Sequence, residues 1–377
     1  MAASHAECHQ LPTVPLAEID TVIDAEVDRC GDECVAPERL AWGDAERGLL
    51  TADDYRPPRW LRNAHVQSVL GSSPLRRRVG ERSLAASGAV TTQHLIDGGD
   101  GVRLHGLHSA VPGVEPRGLV LLLHGWEGSV DSSYMRLTAA QLLARGFEVF
   151  RLNFRDHGNS HHLNEGLFHS NRIGEVLHAA CEVGRRFPLR PMTVAGYSLG
   201  GNFALRLALH APAAGLPLAH VAAVCPVLDP ARTMDAMEQG LPLYRWHFER
   251  KWRESLARKR ALFPQHHDFD DRALGLRIRP LTQWMVERYT DFGTLDRYFD
   301  GYSIAGDRLA GLQVPASILM AEDDPVIPVA GFRALRLPAS SSLEISPWGG
   351  HCCFIESARL DGFAERWIAQ RLAGAVG

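Results

Sequence analysis

The stretch "GYSLGGN", residues 196 to 202, sets Ser198 between Gly196 and Gly200, directly after the apolar run "MTVA". A serine hydroxyl is a weak nucleophile until a base takes its proton and a carboxylate orients that base. Two small flanking residues permit a sharp, strained strand-to-helix turn that lifts the hydroxyl clear of a sheet edge. By itself the pattern also fits an ordinary glycine turn, so its partners have to decide.

Two later loops supply such partners. "LMAEDDPVIP" puts Asp323 and Asp324 directly after an apolar strand, and "WGGHCCFI" puts His351 in a glycine loop before the last helical segment. The A-x-x-D-x-x-I-P spacing, closed by Pro328, favours Asp324 as the orienting acid and leaves Asp323 as a turn or cap residue. Taken singly, an N-capping aspartate or a surface histidine explains either residue; together with Ser198 they make a nucleophile, an acid and a base. An acyl-transfer site also needs two N–H groups for the developing oxyanion. The amide of Leu199 follows the nucleophile, and the amide of Trp126 lies in "HGWEGS", residues 124 to 129, where His124 and Gly125 would shape the loop.

The elements that must position these residues are legible as an alternation. "GLVLLL", "FEVFRLNF", "MTVAG", "HVAAVCPV", "ASILMA" and "SLEIS" read as strands, the first a continuous apolar run suited to burial on both faces of a parallel sheet. Between them "SYMRLTAAQLLARG", "GEVLHAACEVGRRF" and "NFALRLALHA" read as helices, the first capped by Gly146, and "ARLDGFAERWIAQRLAG" closes the chain. This predicts an α/β fold: a mostly parallel central sheet, helices on both faces, and a mainly helical cap insertion at about 229–312. In the cap, Trp246, Phe248, Trp252, Trp284, Tyr289, Phe292 and Tyr298 either line an acyl pocket or pack the cap onto the body. Its basic face, including Arg250, Lys251, Arg253 and Arg258, is either solvated or a peripheral contact with anionic lipid headgroups.

Bulk properties narrow the function classes. Of 377 residues, 45% are hydrophobic and 22% charged, as in an ordinary globular chain, and the net charge of −4 implies no nucleic-acid partner. Residues 1 to 54 hold thirteen acidic and three basic side chains, a net of −10, which leaves +6 for residues 55–377. The leader reads as a poorly ordered, solvated extension, with "IDTVIDAEV" hinting at one short helix. It has neither a basic n-region nor an apolar h-region, so it does not read as a secretory signal. No run reaches the ~18 apolar residues of a membrane span. Seven irregularly spaced cysteines suggest reduced thiols and a cytoplasmic setting rather than a disulfide framework. Cys30 and Cys34 lack a second pair of zinc ligands, and the "DHGNSHHLNEGLFHS" loop, with His157, His161, His162 and His169, lacks the fixed offsets of a metallohydrolase. No metal and no cofactor are expected; Cys352 and Cys353 read as thiols packing the histidine loop.

Together, "PPRWLRNAHVQSVL", "HGWEGSVDSSYMR", "RLNFRDHGNS", "GYSLGGN", "AEDDPVIP" and "GGHCCF" resemble the α/β-hydrolase superfamily, and the first resembles its YheT-like branch (the AB hydrolase-4 group) most specifically. The resemblance spans about residues 57 to 354, with the chain order Ser198, Asp324, His351 that the superfamily uses. It implies a charge relay and carboxylic-ester hydrolysis, with acyl or lipid-like esters as substrates. Residues 1 to about 50 and the "RDHG" turn depart from the pattern, and neither departure touches the three residues. An acyltransferase would share the same acyl-enzyme, and a binding protein could keep the fold without the chemistry. The motifs leave acyl length and oligomeric state open.

Overall fold

The computed structural model describes residues 49–188 and 191–376. The leader up to residue 48, with Cys8, Cys30, Cys34 and the "IDTVIDAEV" segment, lies outside the described residues.

After 3-10 turns at Ala52–Asp54 and Arg59–Leu61 come helices α1 (Ala64–Gly71) and α2 (Pro74–Ala86), then strands β1 (Val90–Asp97), β2 (Arg103–Ala110) and β3 (Gly118–Leu123). Next are α3 (Ser133–Leu143), β4 (Phe147–Leu152), α4 (Ile173–Arg186), β5 (Met192–Tyr197), α5 (Leu199–His210) and β6 (Leu218–Val224). The chain then leaves the sheet for α6 (Pro230–Gln239), α7 (Pro242–Leu262), α8 (Asp271–Gly275), α9 (Ile278–Tyr289) and α10 (Leu295–Asp300). It returns as β7 (Ala316–Ala321), α11 (Ala330–Arg333), β8 (Ser342–Ser346) and α12 (Phe363–Ala375).

The strands form one eight-stranded sheet in the order β1-β2-β4-β3-β5-β6-β7-β8. β1 and β2 pair antiparallel, β2 joins β4 antiparallel, and every pairing from β4 to β8 is parallel. Helices α3 and α12 pack together beside β3, β4 and β6, and α4 and α5 pack together against β1, β5 and β6. That double cover explains the largely apolar runs: all six residues of β3, of β5 and of β7 are buried. Each fully buried leucine or valine there contributes about 1.5–3 kcal/mol relative to exposure. β1 differs. Most of its residues are exposed, so its sequence "VTTQHLID" carries no apolar alternation and gave no strand signal.

Loops at the carboxyl ends of the parallel strands hold the sequence-predicted residues. Ser198 follows β5, His124 to Glu127 follow β3, Asp323 and Asp324 follow β7, and His351 lies beyond β8. In an open α/β sheet, ligands bind outside these strand ends.

Candidate active site

Ser198 is the N-cap of α5 and has φ +53° and ψ −120°. A non-glycine residue held there stores strain of about 1–3 kcal/mol, and it persists only where surrounding structure enforces it. Its neighbours show how. A Cβ added to Gly196 would sit 2.1 Å from the Gly200 carbonyl oxygen, and one on Gly200 would sit 2.3 Å from that of Leu123. Only glycine at both positions lets β5 turn directly into α5 against the end of β3. The Ser198 amide donates to the Val224 carbonyl (2.9 Å), which ties the corner to β6.

The Ser198 hydroxyl lies 3.0 Å from His351 Nε2, and His351 Nδ1 lies 2.9 Å from Asp324 Oδ2. Asp324 is held in turn by the amides of Val326 (2.8 Å) and Ile327 (2.9 Å), both donating to Oδ1. An N–H on Nδ1 facing the carboxylate leaves Nε2 free to accept the serine proton. Asp323 does not reach the imidazole. Its Oδ1 accepts the Gly350 amide (2.9 Å), so it shapes the histidine loop, and burial raises its carboxyl to about 6.

The loop after β3 passes directly beside Ser198: a Cβ on Gly125 would be 3.3 Å from Ser198 Cβ. His124 pins this loop. Its Nε2 accepts the Phe154 amide (3.2 Å), so Nδ1 carries the proton and donates to the Gly125 carbonyl (2.7 Å). Burial pushes its pKa well below the ordinary histidine value and keeps the ring neutral. The Gly125 amide is used by the Tyr134 hydroxyl (2.9 Å). The amides of Trp126 and Leu199 donate to no protein acceptor among the described residues. Leu199 also opens α5, so its N–H sits at the positive end of the helix dipole.

A cavity of about 870 Å³, lined by Ser198 and His351, runs under the segment between β6 and β7. Of the aromatics named from sequence, Phe248, Trp252 and Tyr298 line it. Trp126 stacks on Phe248 (centroids 5.3 Å apart) and meets Trp252 edge-on. Trp284 and Tyr289 pack with Phe269, Phe292 packs on Tyr298, and Trp246 is exposed. Met234, Met237 and Met285 add an adaptable apolar wall.

The histidine-rich loop is a wall as well. His157, His161 and His169 line the cavity, and burial drives their pKa values down to about 4, about 3 and about 3. Among the described residues no group of three or more ligand side chains is close enough to hold a metal ion. His161 Nε2 pairs with the Ser255 hydroxyl (2.8 Å), and the loop is clamped to α7 by Lys259, whose ammonium donates to Asp156 Oδ1 (2.7 Å) and to the carbonyls of His161 and Asn164. Cys352 and Cys353 are buried, and burial raises both thiols.

Several positioning residues carried no signal of their own. Ser68 accepts the His351 amide (3.0 Å), and Gln67 donates to the Leu61 carbonyl and the Tyr55 hydroxyl while accepting the Ile355 amide. Both lie in "PPRWLRNAHVQSVL", whose composition does not reveal these backbone contacts. Glu127, inside "HGWEGS", has φ +55° and lines the cavity; burial raises its carboxyl to about 8 against the pull of the Lys251 ammonium.

A family model described as the alpha/beta hydrolase fold matches residues 118–358. YheT of Escherichia coli (strain K12) is 26% identical over 262 residues, covering 67% of this chain and 74% of that protein. The slr0264 protein of Synechocystis is 24% identical over 292 residues, covering 69% and 76%. Both carry provisional esterase designations. Among solved structures, an esterase of Pyrococcus furiosus aligns with a TM-score of 0.51 at 15% identity, over 77% of this chain and 91% of that one. A bacterial membrane phospholipase A aligns with 0.52 at 18% identity, over 80% and 91%. At these identities the structural likeness speaks for the fold. The chain belongs to the α/β-hydrolase fold family, and its curated relatives place it in the YheT-like branch.

Proposed function

We propose that this protein is a serine hydrolase of carboxylic esters, with Ser198 as nucleophile, His351 as general base and acid, and Asp324 as the orienting carboxylate. One observation carries the reading: Ser198, His351 and Asp324 form a hydrogen-bonded chain with 3.0 and 2.9 Å links beside two unused amides. The esterase designations of the E. coli and Synechocystis relatives agree with it.

The steps follow from that arrangement. The Ser198 proton moves to His351 Nε2 as the hydroxyl oxygen attacks the ester carbonyl carbon. The resulting oxyanion is held by the Trp126 and Leu199 amides. The carbon–oxygen bond to the alcohol then breaks, and the alkoxide takes the proton from His351. Water repeats the sequence in reverse roles and releases the acid from the acyl-serine. Methionines and aromatics around the cavity suit an apolar acyl chain, so the substrates are small-molecule or lipid-like esters. An alcohol acceptor in place of water would give acyl transfer by the same intermediate.

A panel of p-nitrophenyl esters of increasing chain length tests this. Wild type should hydrolyse them, and Ser198→Ala should lower kcat by about 10⁴-fold or more with its melting temperature preserved. Hydrolysis that survives Ser198→Ala would contradict the assignment.

A further inference from the structure

Large apolar side chains left in solvent are not scattered evenly over this fold. Of the twelve more-exposed ones among the described residues, seven fall in two short segments. Trp60, Val66, Val69 and Leu75 lie on the approach to α1, on α1 and at the start of α2. Leu241, Leu243 and Trp246 lie at the start of α7. Trp60 and Trp246 are 50% and 55% exposed, against the usual preference of tryptophan for burial.

The two segments meet. His65 Nδ1 hydrogen-bonds the Tyr244 hydroxyl at 2.8 Å, and the rings stand 5.7 Å apart. Both helices are two-faced. On α1, Gln67, Ser68 and Gly71 are buried while Val66 and Val69, one turn apart, face out. On α7, Tyr244 and Phe248 line the cavity while Leu243 and Trp246 face out. Ser68, Ser72 and Tyr244 all line the cavity, so the exposed residues border its mouth.

Charge adds a sign to this patch. Residues 56 to 82 contain seven arginines and a single acidic residue, Glu81. Arg77, Arg78 and Arg82 of α2 pair with no carboxylate among the described residues. On α7, Lys259 is buried on Asp156, Arg253 reaches Glu249, Arg260 reaches Asp271 and Arg250 reaches Glu254, while Lys251 and Arg258 donate to the Glu127 carbonyl and the Asn159 side-chain oxygen instead of a carboxylate. Most cations of α7 are thus paired, whereas three neighbouring arginines of α2, beside α1, are not. Exposed tryptophan and aliphatic residues with a rim of free arginines match an anionic lipid interface, where rings settle at headgroup depth and arginines meet lipid phosphates.

We propose that the α1–α2 corner and the first turns of α7 dock on an anionic lipid surface, with the cavity mouth turned towards it. The docking deepens the ester-hydrolase reading by saying where the substrate comes from, and the binding itself does not require Ser198. Full-length protein carrying Ser198→Ala is sedimented with vesicles of phosphatidylcholine alone or of phosphatidylcholine with phosphatidylglycerol. Partitioning should be about tenfold or more stronger on the anionic vesicles and should weaken with added salt. Trp60→Ser with Trp246→Ser should lower it about tenfold, and Arg78→Glu with Arg82→Glu should remove the preference for anionic lipid. None of these four residues lines the cavity, so in the Ser198 background the variants should keep wild-type hydrolysis of a water-soluble ester, which also reports folding. Absent sedimentation, equal binding to both vesicle types, or binding unchanged in both variant pairs would overturn the docking face. Failure of the hydrolase reading looks different: no ester turnover by wild type, with vesicle binding intact.

Discussion

At the scale of single residues, the site combines strain with enforced neutrality. Ser198 and Glu127 both hold positive φ, at +53° and +55°, on either side of the cleft between the β5 and β3 loops. His124 is kept uncharged by burial and fixes the Gly125 carbonyl, which aims the neighbouring Trp126 amide. Glu127 gives a test of the electrostatics. Its carboxyl titrates near 4.5 in an unfolded chain and at about 8 in the fold, because burial penalises the charged form. The folded chain thus holds this proton to higher pH than the unfolded chain, so the contribution to stability is greatest below about 4.5 and falls as pH rises towards 8. Glu127→Gln removes that loss. The melting temperature of the variant relative to wild type should climb between about pH 5 and about pH 8 and level off above it; a difference independent of pH would contradict the burial of this carboxyl. Ser198, Asp324 and His351 stood out as candidates because the proposed chemistry needs particular types in a particular order. Glu127 was not, because its peculiarity is its environment, which the sequence does not display.

At the scale of elements, the strands around Ser198 were legible for a physical reason: burial on both faces makes β3, β5 and β7 almost wholly apolar, with Thr193 and Ser317 the polar exceptions. β1 was not read, since most of its residues are exposed, and α2, with its "PLRRRVGERSLAA" sequence, reads as a basic surface segment. Yet α2 supplies Arg76, which is buried against Glu365 of α12 at 2.6 Å and donates to the Cys353 carbonyl in the histidine loop. With Ser68 and Gln67 of α1, it holds the backbone of the histidine loop, through the amides of His351 and Ile355. The other long-range clamp is Lys259 of α7. Lys259→Met leaves Asp156 buried without its counter-charge and should cost about 3–5 kcal/mol in urea unfolding. Adding Asp156→Asn should recover part of that loss, since the stranded charge is then gone. A cost below about 1 kcal/mol for the single variant would mean that the clamp is not closed in solution.

At the scale of the whole molecule, a doubly covered, mostly parallel sheet gathers four loops at the carboxyl ends of its strands, and the proposed chemistry lies where those loops meet. The alternation of strand and helix made that architecture legible from the sequence, as did the break in alternation after β6. Which aromatics face the cavity was not legible: Phe248 and Trp252 do, whereas Trp246, on the same helix, points to solvent. Composition alone does not distinguish the sides of a helix that is polar and aromatic all round. The docking face has the same origin, because its arginines look alike in sequence whether they pair inside the fold or stand free. Covalent trapping is the sharpest test of Ser198 as the activated nucleophile. Full-length protein is treated with a fluorophosphonate, and the adduct is located by peptide mass spectrometry. One phosphonyl group per chain is expected, on Ser198, and is lost in His351→Ala. Folded wild type that takes up no label, or that carries it on another residue, would contradict this assignment.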